Sequence, residues 1–219
     1  MNQREVTIDQ HGLQLAGDLS LPAQPVGLVL FAHGSGSSRF SSRNRAVARR
    51  LNDLGLATLL LDLLTADEEV IDARTAELRF DIPLLARRLT GTVDWTDRQP
   101  ALAALPLGLF GASTGAAAAL ITAAERPQRV AAVVSRGGRP DLALPVLEQV
   151  RAPTLLIVGG HDREVLALNR QALAALGAPK ALDIVPGATH LFEEPGALKQ
   201  VAQLAGDWFL RHLQPVAAP

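Results

Sequence analysis

Short apolar runs of strand length recur along this chain, and a helix-length amphipathic stretch follows nearly every one. The runs are "VGLVLFAHG", "LATLLLDLL", "LPLGLFG", "RVAAVVSRGG" and "APTLLIVGG", all but the second closing on glycine. A strand that is apolar at successive positions must be buried on both faces, which is the situation of a parallel sheet covered by helices. Alternation with helical stretches therefore predicts an α/β fold, a mainly parallel sheet with helices on both sides. "SSRNRAVARRLNDLG" reads as an arginine-rich helix ended by Gly55, and "DIPLLARRLTGTVDWTDRQP" as a helix with Pro83 in its first turn. The alanine run from Ala116, "EVLALNRQALAALG" and the closing "PGALKQVAQLAGDWFLRHL" supply further helices, with a short helical piece around Leu144 to Val150 and "KALDIVPG" as the last strand. Ahead of all these, "EVTIDQHGLQLAGDLSLP" alternates around His11-Gly12, the pattern of a β-hairpin at a sheet edge. The acidic residues 65–80 begin as a loop on this reading, and "QPVAAP" is a frayed tail. No linker or internal repeat divides the 219 residues, so residues 1–219 are expected to form one domain.

In a sheet of this kind, ligands bind outside the carboxyl ends of the strands. The residues just past the apolar runs are His33-Gly34-Ser35-Gly36, Asp62, Ser113, Arg136, Asp162 and, after the last strand, His190. "GASTG" places Ser113 in the pattern G-x-S-x-G between a strand and a helix, where a sharp turn exposes the serine hydroxyl and only glycine fits the close flanking elements. A serine hydroxyl needs a base to take its proton, and the base needs a carboxylate to orient it. "VGGHD" offers Asp162 and "PGATHLF" offers His190, in the chain order Ser, Asp, His that this strand–turn–helix arrangement requires. Asp141, in "SRGGRPDLA", is the rival acid; Asp162 is favoured because it directly follows its strand. The oxyanion hole is expected from the backbone N–H of Thr114 and that of Ser35 in "HGSGSS".

At this point the chain resembles the α/β-hydrolase fold and, within it, the dienelactone hydrolase family. The resemblance rests on "LFAHGSGSS", "GASTG", "LLIVGGHD" and "GATHLF" and runs from about Val26 to Leu210. It implies an eight-stranded, mainly parallel sheet and hydrolysis through an acyl-enzyme. The name-giving enzymes of the family resemble this chain except that they use cysteine where it has Ser113.

Composition narrows the remaining classes. A net charge of −1 gives no electrostatic case for nucleic acid, and 4% aromatics leave little for base stacking. With no cysteine, disulfides and thiolate sites are excluded, no His/Asp/Glu cluster has metal-ligand spacing, and no cofactor is expected. The N-terminus lacks the apolar core of a signal peptide and no apolar run approaches a membrane span, so a cytoplasmic protein without membrane partners is expected. The glycine-rich "HGSGSSRF" lacks the lysine of a phosphate loop. Arginines 39, 43, 45, 49 and 50 read as a solvated helix face. His33 reads as a structural hydrogen-bonding residue beneath the oxyanion loop.

These residues lead to a serine hydrolase acting on small carboxylic esters or thioesters, with no connection long enough for a cap domain and hence an open site. Acyl transfer by the same residues, or a non-catalytic binding role for the scaffold, are the alternatives. Arg136, one residue past "VAAVVS", has two readings. It either sits at the rim of the site and forks onto a substrate carboxylate, or belongs to a solvated turn or to a structural pair with Asp141.

Overall fold

In the computed structural model, which describes residues 2–213, the expected strands form one eight-stranded sheet in the order β1-β2-β4-β3-β5-β6-β7-β8. The tail "QPVAAP" lies outside the described residues. β1 (Asn2–Gln10) and β2 (Leu13–Leu21) are the expected hairpin, and positive φ at both His11 and Gly12 makes its two-residue turn. β2 runs antiparallel to β4, and every later pairing is parallel. β3 (Gly27–Ala32), β4 (Leu56–Leu61), β5 (Leu107–Ala112) and β7 (Thr154–Gly159) are buried at every residue, which is why their sequences show no polar alternation. β6 (Val130–Arg136) joins them in the centre, and β8 (Lys180–Val185) closes the edge.

Successive side chains of each strand feed two separate cores. Val29 and Phe31 of β3, Phe110 of β5 and Val134 of β6 pack against α1 (Ser42–Asp53) and α6 (Ala197–His212). Leu28, Leu30, Leu109 and Val133 face α3 (Ile82–Asp97), α4 (Thr114–Glu125) and α5 (Arg163–Ala175) on the other side. β3 lies between β4 and β5, so the chain leaves it toward one side and returns on the other. The loops that follow β3 and β5 therefore part and leave a crevice at their carboxyl ends.

Two local expectations are corrected. Residues 65–80 do not begin as a loop: Ala66–Thr75 form α2, opened by a capping box in which Thr65 and Glu68 satisfy each other's backbone N–H. Asp72 is the one buried residue of α2, while Val70 and Ile71 are exposed, so no apolar stripe announces the helix. It is fastened instead by Asp72, whose carboxylate accepts from the backbone of Leu78 and Arg79 at 2.8 and 3.0 Å and from Arg79 Nε at 2.6 Å. Arg39, in turn, lies before α1 rather than on it. Its guanidinium donates to Asp62, Asp18 and Glu5, tying the loop after β3 to the first three strands of the sheet's edge. Among the described residues, no helix is long and apolar enough to cross a membrane.

Candidate active site

The turn between β5 and α4 holds Ser113 at φ 51° and ψ −122°, a backbone conformation that costs a non-glycine residue of order 1–3 kcal/mol. Its flanking glycines are there for space. A Cβ on Gly111 would stand 2.4 Å from the Ala116 Cα, and one on Gly115 would stand 2.3 Å from the Ala32 carbonyl oxygen. The turn is pinned to β6 and the residues after it: Ser113 N–H donates to the Arg136 carbonyl at 3.2 Å, and Arg139 N–H donates to the Ser113 carbonyl at 3.0 Å. The hydroxyl-bearing residue is half-buried, at the base of the crevice.

The loop after β3 lies directly on this turn. A Cβ on Gly34 would come within 3.0 Å of the Ser113 Cβ, so the two segments touch. Thr114 N–H and Ser35 N–H, the expected oxyanion donors, have no acceptor among the described residues. Thr114 is also the first residue of α4, where the helix dipole places partial positive charge. His33 holds the loop from below. Its Nε2 accepts from Leu63 N–H at 3.1 Å, which leaves the proton on Nδ1, 2.9 Å from the Gly34 carbonyl. Burial pushes the His33 pKa below the ordinary histidine value, against the opposing pull of that carbonyl and of Asp62. The far end of the same loop is held by Asp62, which accepts from Arg39 N–H at 2.7 Å.

Asp162 starts α5 but caps nothing with its side chain, leaving the carboxylate free. It faces His190, with Nδ1 to Oδ2 at 2.6 Å. A carboxylate only accepts, so Nδ1 carries the proton and Nε2 presents its lone pair on the opposite edge of the ring. The imidazole lies beside Gly137, where a Cβ would be 3.5 Å from His190 Cε1, and Gly137 directly follows the residue whose carbonyl holds Ser113. The structure thus gathers Ser113, the Ser35 loop and the His190–Asp162 pair around the ends of β5 and β6. Asp141 is elsewhere engaged, in a two-point pair with Arg139 at 2.8 Å for both contacts.

Two features that build this site carry no signal in the sequence reading above. Gly159, at the end of β7, lets the 188–189 backbone cross it: a Cβ there would meet the carbonyl oxygens of Ala188 and Thr189 at 2.4 and 2.6 Å. Glu194 holds the loop that carries His190, accepting from Thr189 N–H at 3.0 Å and from its hydroxyl at 2.5 Å. Those bonds, the hydroxyl's first, draw the Glu194 pKa below the usual carboxylate range. The loop-bracketing carboxylate five residues past Thr189 was readable only once the loop's path was known.

Arg136 departs from expectation. It is the last residue of β6 rather than part of a solvated rim, and only 7% of its surface is exposed. Its Nη2 donates to Asn44 Oδ1 at 3.3 Å, on the α1 side of the sheet. Beside the Ser35 loop, a cleft of about 440 Å³ opens between that loop and α2, with Ser35, Phe40, Leu64, Glu69 and Arg79 on its walls.

A family model described as the dienelactone hydrolase family matches residues 15–214 of the chain. A solved structure of a dienelactone hydrolase from Anabaena variabilis ATCC 29413 is 58% identical and superposes with a TM-score of 0.96, over 97% of this chain and 99% of that one. Est1E from Butyrivibrio proteoclasticus shares the fold at 16% identity, with a TM-score of 0.80 over 95% of this chain and 98% of its own. A Mycobacterium tuberculosis H37Rv protein named "Putative phosphoribosyl transferase Rv0571c" is 56% identical over 213 residues, 97% of this chain and 47% of the relative. The chain therefore spans about half the length of that curated relative. With the strand–turn–helix at Ser113, the loop after β3 and the sheet order already in place, the family match covers nearly all of the fold, and the chain belongs to the dienelactone hydrolase family.

Proposed function

We propose that this protein is a serine hydrolase that cleaves small carboxylic esters or thioesters through an acyl-enzyme. Ser113 Oγ attacks the substrate carbonyl while His190 Nε2 takes its proton. Asp162 keeps the proton on Nδ1 and stabilises the imidazolium as it forms. The N–H groups of Ser35 and Thr114 receive the developing oxyanion. His190 then returns the proton to the leaving alcohol or thiol, the C–O or C–S bond breaks, and the acyl group remains on Ser113. Water, deprotonated by the same imidazole, releases the acid and restores the serine.

The observation that carries this reading is the 2.6 Å contact between His190 Nδ1 and Asp162 Oδ2, together with a serine held at φ 51° on the turn into α4. The cleft next to the Ser35 loop offers room for the acyl or leaving group on the side of that proposed oxyanion donor. Membership of the dienelactone hydrolase family and the 58% identical structure support hydrolysis as the reaction class. The transferase name belongs to a protein about twice as long.

A fluorophosphonate probe tests the reading directly. The folded protein is expected to be labelled once, on Ser113, and to hydrolyse a short p-nitrophenyl ester. Ser113→Ala is expected to melt as the parent does, to take no label and to lose nearly all turnover. An unlabelled but folded wild-type protein would mean the scaffold binds rather than cleaves. A Ser113→Ala variant with more than about a tenth of the parent kcat would remove Ser113 from the reaction.

A further inference from the structure

The buried stripe of α5 consists of Val165, Asn169 and Ala172, so an amide sits where the helical period calls for an apolar side chain. Asn169 is fully buried. Its Nδ2 donates one hydrogen to the Val165 carbonyl of its own helix at 2.8 Å and the other to the Gly138 carbonyl at 2.9 Å. Two carbonyls on one nitrogen fix which way the amide points, since the flipped group would set oxygen against oxygen. Oδ1 is left buried with no donor. An unpaired buried acceptor destabilises a fold, and an apolar side chain of similar size at 169 would avoid it. Packing therefore gives no reason for this amide. The bond to Gly138 does.

Gly138 sits in the turn after β6, where two successive residues have no side chain to anchor them and Gly137 has a φ of 50°. A Cβ on Gly138 would stand 2.0 Å from Ser135 Oγ and 2.5 Å from Ala116 Cβ, so none fits. Gly137 N–H is tied to the Ile157 carbonyl at 2.8 Å. The next peptide unit, from Gly138 to Arg139, is held at both ends. Its C=O accepts from Asn169, and its N–H donates to the Ser113 carbonyl at 3.0 Å. On the near side of the same turn, the Arg136 carbonyl accepts from Ser113 N–H, and Gly137 lies against His190. Asn169 itself belongs to the helix that Asp162 begins. We propose that Asn169 is a positioning residue for the hydrolysis described above: by fixing the Gly138–Arg139 peptide plane, it keeps the Ser113 turn in register with His190 and Asp162. This role rests on that hydrolase reading and acts through the turn rather than on the substrate. Without the Nδ2 donor, the glycine backbone is free to rotate the plane, and rotation withdraws the Arg139 N–H from Ser113. Hydrogen bonds joined through one peptide unit also strengthen one another, so losing the first weakens the second.

Asn169→Leu removes both donors at similar volume, and it is compared with Ala172→Gly, which loosens α5 without touching the Gly138 carbonyl. Both are assayed at a temperature where they are folded. Asn169→Leu is expected to lower kcat on a short p-nitrophenyl ester about ten- to a hundredfold, with KM within about twofold of the parent. Its rate of labelling by a fluorophosphonate should fall by a similar factor. Ala172→Gly is expected to melt earlier than the parent and to keep its kcat. Crystals of Asn169→Leu should show the Gly138–Arg139 peptide rotated off the Ser113 carbonyl. Should that variant not fold, Asn169→Ser, too short to reach Gly138, serves with the same expectations. Parent kcat and labelling rate in the Asn169 variant overturn the proposal. So do a raised KM at unchanged kcat, an unrotated peptide, or an equal fall of kcat in Ala172→Gly. A parent protein that takes no label overturns the hydrolase reading and this role with it; a labelled parent beside an unaffected variant overturns this role alone.

Discussion

Asp162 and Asp141 each follow a strand and each lie near the turn that carries Ser113, yet their partners divide them. Asp162 Oδ2 lies 2.6 Å from His190 Nδ1, whereas Asp141 is held at both oxygens by Arg139. Asp162→Asn is therefore expected to cost about 10³–10⁴ in kcat, because an amide facing Nδ1 lets the imidazole adopt the wrong tautomer. Asp141→Asn is expected to leave kcat within a few-fold. Its loss of stability should stay under about 1 kcal/mol, since the Arg139 side chain is more than a third exposed and solvent screens the pair. Steady-state kinetics and melting of the two variants check this, and the reverse pattern would move the orienting acid to the earlier loop. Ser113 itself carries a second expectation. Its φ of 51° is free of cost only for glycine, so Ser113→Gly should unfold later than the parent, by about 1 kcal/mol, while losing turnover. A variant that is no more stable than the parent would mean the turn stores no strain.

At the scale of elements, the site depends on how closely strand ends and loops approach one another. β7 ends at Gly159 because the 188–189 backbone passes where a side chain would be, and that crossing carries His190 to Asp162. Gly159→Ala forces the carbonyls of Ala188 and Thr189 away from positions 2.4 and 2.6 Å from the new Cβ. Such overpacking costs about 1–3 kcal/mol, and a displacement near 1 Å at the reacting groups costs about a hundredfold in rate. The expected result is a folded protein of lowered melting temperature with kcat reduced about a hundredfold; unchanged kinetics would show that the loop finds the same place without the gap. α2 makes the complementary point. It is held by the Thr65–Glu68 capping box and by Asp72 rather than by a buried apolar face, so its helical state rests on hydrogen bonds and ion pairs beside the cleft.

For the molecule as a whole, His33 links site geometry to pH. In the folded protein it stays neutral, because burial lowers its pKa and Leu63 N–H occupies Nε2. The unfolded chain takes up a proton near the ordinary value of 6.5. The stability tied to this group is thus complete above pH 6.5 and is lost as pH falls from there toward the lower folded-state value. The slope from this one proton is at most about 1.4 kcal/mol per pH unit. Melting at pH 7.5 and 5.5 is expected to show a smaller acid loss in His33→Gln than in the parent, and equal losses would place the acid sensitivity in other groups. Much of this architecture is written locally. The doubly buried strands show as unbroken apolar runs, the hairpin turn as His11-Gly12, and the bend at Ser113 as a serine between glycines, because each depends on the sterics and burial of a few consecutive residues. Other features needed the assembled fold. The place of Asp162 directly after its strand favours it over Asp141, but the contact with His190 is made only by the folded loops, and nothing near Arg136 says that it lies under α1 instead of at a rim. α2 hid because its fastening is electrostatic, and Gly159 because its neighbour is a distant backbone. Consecutive residues set backbone conformation and burial period, but side chains far apart in sequence meet only where strand ends converge, and that convergence belongs to the packed sheet.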